Sequence, residues 1–194
     1  MKTLSAAVLG ALILLQLACA QRPGAGGQNA PAADAALSAG EAARGRLKAQ
    51  AEELGRAFVG GDFGKVADLT HPSIVELAGG KAHLAEDLEQ GVEEMRAGGS
   101  RYESVSVGEP KQVVSGAGGQ LFAVVPTVIR ISTPRGVAAS QSFFLGVSED
   151  GGTRWTFVEG ADIEDKNDLK SLFPSAPDGL DLPAQTPPVL EKRP

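Results

Sequence analysis

The chain has 194 residues and a mass of 19.9 kDa, enough for one ordinary domain with extra segments but not for two full domains. Its 18 Lys and Arg against 24 Asp and Glu leave a net charge of −6, which excludes the basic surface that nucleic-acid binding requires. One cysteine excludes an internal disulfide framework and a Cys-rich zinc site, while 42% hydrophobic residues suffice for a packed core.

At the N-terminus, Lys2 precedes an apolar run from Ala6 to Leu15, and Ala18-Cys19-Ala20 closes the segment with small residues. This pattern predicts a secretory signal peptide over residues 1–20. The run falls short of the roughly 20 apolar residues that a membrane span needs. Leu17-Ala18-Cys19 is also similar to the end of a bacterial lipoprotein signal, with Gln16 in the place usually held by Leu; Cys19 is then the lipidation site. Both routes export the protein, as a periplasmic or secreted species or as one anchored in the envelope by that lipid alone. Residues 21–40, rich in Ala, Gly and Pro, are expected to form a disordered leader.

The domain is expected over residues 41–173. Ser38 and Glu41 have the spacing of a capping box, and Leu47, Ala51, Leu54 and Phe58 recur at steps of four, three and four, one stripe of a helix. Gly60-Gly61 ends it. Asp62 is placed to cap a second, short helix carrying Phe63, Val66 and Leu69. His71 precedes Pro72 and leaves helical geometry, so Ile74 to Leu77 reads as a short strand. A third helix starts near Lys81, buries Leu84, Leu88, Val92 and Met95, and stops at Gly98-Gly99. Five β-rich runs follow: Tyr102 to Val107, Lys111 to Ser115, Leu121 to Ser132, Val137 to Val147 and Arg154 to Ile163, separated by Gly-rich or Pro-Arg-Gly turns. A short helix from Asp168 to Phe173 leads into residues 174–194, which hold six of the 12 prolines and read as an extended tail outside the core. Helices first and a meander afterwards is an α+β order.

Gly61-Asp62-Phe63 after the first helix, the final Trp155-Thr156-Phe157 strand and the hairpin Asp150-Gly-Gly-Thr-Arg-Trp155 give this order a family likeness. Between Glu41 and Phe173 the chain resembles the nuclear transport factor 2-like superfamily, whose members include ketosteroid isomerase, scytalone dehydratase and polyketide cyclases. The resemblance implies three N-terminal helices packed in a strongly bent antiparallel sheet, the cystatin-like cone, with an apolar pocket between the layers. That superfamily holds enzymes and binding modules alike, so it fixes no activity.

Few polar residues are placed to act in such a pocket. His71, at the break after the second helix, is a candidate acid or base, or a histidine bonded to the backbone. Asp68 is a candidate carboxylate or a solvated one. Tyr102, the only tyrosine, is a candidate hydrogen-bond donor or an ordinary rim residue. Trp155 shares a strand face with Phe157 and reads as core or as a ring against a ligand. Residues 121 to 131 are apolar on both faces, so both must be covered; Arg130 sits at the margin of one of them, able to bind a carboxylate. No phosphate loop, G-x-S-x-G motif or metal-ligand spacing occurs, and no cofactor is expected. The reading is therefore an exported, non-catalytic module for a small apolar ligand or a protein partner. It is expected to be a homodimer through the outer sheet face, because helices can cover only one side. The alternative is a cofactor-independent isomerase, dehydratase or cyclase.

Overall fold

The structure is a computed structural model that describes residues 30–163 and 165–191, with side chains from residue 40 onward. The signal segment, Cys19 and residues 21–29 of the leader lie outside the described residues. Helix α1 (Ala30–Gly60) begins well before the Ser38 capping box, so residues 30–40 continue the helix instead of belonging to a disordered leader. Helices α2 (Phe63–Leu69), α3 (Pro72–Leu77) and α4 (Lys81–Ala97) follow. Four helical segments thus precede the sheet, not three. The difference is α3, which replaces the strand expected at Ile74 to Leu77. His71 Nδ1 accepts from Ser73 N at 3.2 Å, and Pro72 at the first turn lacks only an N–H that a helix start leaves free anyway. Two β-branched residues in a six-residue helix were outweighed by its cap.

Strands β1 (Arg101–Val107), β2 (Val113–Ser115), β3 (Leu121–Thr133), β4 (Gly136–Ser148) and β5 (Thr156–Glu159) form a curled antiparallel sheet in the order β1-β3-β4-β5, with β2 also on β3. The last strand is shorter than its β-rich run because a 3-10 turn (Gly160–Asp162) takes over. Pro126 stands inside β3, where a missing N–H normally breaks a ladder. The neighbouring chain has parted there: β1 ends at Val107, β2 starts at Val113, and Gly108 N still donates to Pro126 O at 2.8 Å.

Both faces of β3 are buried from Phe122 to Val125, as its two apolar parities require. Leu47, Ala51 and Leu54 of α1, with Phe63 and Val66 of α2, close on the inner face against Ala123, Val125, Phe144 and Phe157. The helix comes close because Gly146 has no side chain; a Cβ there would lie 2.7 Å from Leu47 Cδ1. The outer face carries Phe122, Val124, Leu145, Val147 and Val158.

The cover of that outer face corrects two expectations. It is the chain's own C-terminal part: Ile163, then Leu169 of α5 (Lys166–Leu172), Phe173, Ala176 and Leu180, each at most 4% exposed. Residues 174–191 are therefore not a tail outside the core. Pro174 and Pro177 stand in tight turns, where Ala176 N donates to Phe173 O and Leu180 N to Pro177 O. Beyond them Thr186 exchanges hydrogen bonds with Gln141, and β6 (Val189–Leu190) pairs with β4 at Ala138 and Ala139. The face that the dimer expectation gave to a second copy is occupied in cis. The premise that only helices from the N-terminal half could cover the sheet does not hold.

Candidate functional site

A cavity of about 210 Å³ lies between the helices and the inner sheet face. Its wall is apolar on the helical side, with Leu54, Phe58, Val66, Leu84 and Leu88. The sheet contributes Val105, Ile129, Phe144 and Phe157. Thr70 lines it too, but its hydroxyl already donates to Val66 O at 2.8 Å. The junction of α2 and α3 is pinned to the sheet beside it, where His71 N donates to Phe157 O at 2.8 Å. Two carboxyls complete the wall, Glu159 and Asp162.

Glu159 ends β5, opposite Phe144 in the register. With Trp155 and Phe157 it forms one parity of the strand, and that parity faces inward. The residue is half-buried; burial of the carboxyl pushes its pKa up, and the neighbouring Asp162 charge pushes it the same way. No described residue donates a hydrogen bond to it. Asp162 lies at the exposed rim and is also raised by partial burial. The C-terminal segment steadies this corner, since Gln185 Nε2 donates to Gly160 O at 2.7 Å across the 3-10 turn.

None of the three acid-base candidates lines this cavity. His71 is 9% exposed and acts as the cap of α3; its Nδ1 lies 2.8 Å from Ser73 Oγ, and its ring stands edge-on to Phe173 with centroids 4.8 Å apart. A nitrogen that accepts from a backbone N–H carries no proton, so the neutral ring is protonated at Nε2. Burial lowers its pKa, partly opposed by Glu149 and Glu76. It borders a separate, more open groove of about 320 Å³ with Glu149 and Arg154. Asp68 is exposed and paired with Lys81 Nζ at 2.6 Å, which lowers its pKa. Tyr102 stacks edge-on against Phe58 at 4.8 Å, and burial, then Glu159, raises its pKa.

The two ligand candidates have structural partners. Trp155 is 1% exposed in the inner core, away from the cavity wall, and donates from Nε1 to Gly152 O at 3.2 Å. Arg130 does bind a carboxylate, that of Glu191, with Nε to Oε1 at 2.8 Å. Among the described residues, no group of three His, Cys, Asp or Glu could hold a metal ion, and no helix is long and apolar enough to cross a membrane. One hydroxyl, Thr127 Oγ1, is buried on the inner face with no hydrogen-bond partner among the described residues. No protein-family model and no curated protein matches the chain in sequence.

Proposed function

We propose that the protein is an exported binding module of the nuclear transport factor 2-like kind that takes a small, largely apolar molecule into its inner cavity. The observation that carries this reading is the cavity itself: a closed-in apolar wall with very few polar groups, the usual make-up of a small-molecule site. Its volume of about 210 Å³ exceeds the roughly 150 Å³ of an apolar cavity that accepts benzene. Export rests on the signal-like segment at residues 1–20, and the cone on the order of helices and curled sheet.

Calorimetric titration with indole and 2-phenylethanol tests the binding. Saturable binding of at least one is expected, and Leu88→Trp, which fills the space from α4, is expected to abolish it while the circular dichroism spectrum stays unchanged. Binding that survives Leu88→Trp, or no binding by the native chain, overturns the reading.

A second reading, proton transfer without a cofactor, is favoured by one feature. Glu159 is a desolvated carboxyl whose pKa is shifted toward neutrality inside the cavity, the condition a general acid or base needs. It would act in place of His71, Asp68 and Tyr102. With a small ketone in deuterium oxide, exchange at the carbon beside the carbonyl, followed by NMR and removed by Glu159→Gln, would favour this enzyme over the module.

A further inference from the structure

We propose that the cavity selects a small lipophilic ammonium ion, its charged head against Glu159 and Asp162 and its hydrocarbon body among the phenylalanine rings. This rests on the reading that the cavity holds a small molecule and adds its charge. Among the described residues, the wall presents two carboxyls and no basic side chain. An anion would meet uncompensated like charge there. A neutral acceptor could use Glu159 only in its protonated form and would have no use for Asp162.

An ammonium ion uses every unusual feature of the wall. Its N–H groups supply a hydrogen bond that no described residue gives the Glu159 carboxyl, and charge-assisted bonds of this kind are stronger than neutral ones. Asp162 at the rim adds a second negative charge along the way in. Phe58, Phe144 and Phe157 line the same cavity and accept a hydrocarbon body. Phe144 and Phe157 pack on each other at 6.0 Å between centroids in a tilted pair. A cation beside the carboxylate opposes the rise in the Glu159 pKa that burial causes, by favouring the charged form.

The test uses three probes of one shape titrated into the full mature chain at pH 7: phenethylamine, 2-phenylethanol and 3-phenylpropionate. Phenethylamine is expected to bind about tenfold tighter than the alcohol, the scale of one hydrogen bond to a charged group, and the carboxylate not at all. Glu159→Gln should bring the amine down to the affinity of the alcohol without weakening the alcohol. Asp162→Asn, at the exposed rim, should cost the amine a smaller factor and leave the fold untouched. If the alcohol matches the amine, or if the carboxylate binds best, the ammonium proposal is overturned while the binding reading stands. If none of the three binds, the proposal is overturned, and the binding reading falls with it when indole also fails to bind.

Discussion

The two faces of one sheet are covered by stripes of identical spacing. Leu47, Ala51, Leu54 and Phe58 recur at four, three and four residues on the inner side; Leu169, Phe173, Ala176 and Leu180 do the same on the outer side. The first set lies on one continuous helix. The second begins on α5 and then passes through two turns containing Pro174 and Pro177. Continuous helix is therefore not needed to keep apolar groups on one side of a segment. Tight turns can keep that phase, provided a close neighbour fixes them. Here the neighbour is Gly116, where a Cβ would lie 2.4 Å from Ser175 O, next to the bond from Ala117 N to the same oxygen at 3.0 Å.

The largest expected effects ask whether the two covers are equally integral. Val124→Asp and Val125→Asp place a charge in the outer and inner core respectively, and Leu180→Asp places one in the outer cover itself. Each is expected to lower the unfolding free energy by upwards of about 3 kcal/mol, because a buried side chain is lost and an unpaired charge is desolvated. Urea denaturation measures this. A Leu180→Asp midpoint equal to that of the native chain would show that the outer cover unfolds separately from the sheet.

A difference of intermediate size concerns the half-buried carboxyl of Glu159 on the inner side. The folded-state pKa of Glu159 lies above its unfolded value, so the native state holds more protons between the two. Stability from this group is thus full below the unfolded pKa and is lost as pH rises toward the folded one. Glu159→Gln removes that loss. Its thermal midpoint relative to native protein should improve between pH 4 and pH 8. A constant difference across that range contradicts an enclosed carboxyl.

The smallest effect sharpens the outer side. Arg130→Ala breaks the pair with Glu191, whose side chains are both about 40% exposed, and should cost under about 1 kcal/mol. Hydrogen exchange should nevertheless quicken at Glu191 N, which donates to Val137 O, more than at strands buried on both faces. Equal protection in both proteins would mean that β6 holds without the ion pair.

This contrast also explains what could be read from the residues alone. The inner stripe, the β-meander and the need to cover both faces of β3 follow from unbroken periodicities of 3.6 and 2. The outer cover does not, since prolines interrupt the helical pattern and only the fold restores its phase. Glu159 was within reach: it shares parity with Trp155 and Phe157, and those two point inward. A carboxylate at a strand end ordinarily points into water, and that general expectation hid it. Asp162 offers no such signal, because a 3-10 turn sets its direction. His71 and Tyr102 were singled out for their chemistry, while the structure spends one on a helix cap and the other on an aromatic edge.

The outer cover also has a consequence in time. Leu180 follows Phe143 by 37 residues in the chain. At the roughly 5–20 residues per second of protein synthesis, about 2–7 s separate the making of that sheet surface from the making of its lid. Until Ile163, Leu169, Phe173, Ala176 and Leu180 have all been made, the cover over Phe122, Val124, Phe143 and Leu145 is incomplete, which leaves a ready surface for a holdase chaperone or for a neighbouring unfinished chain.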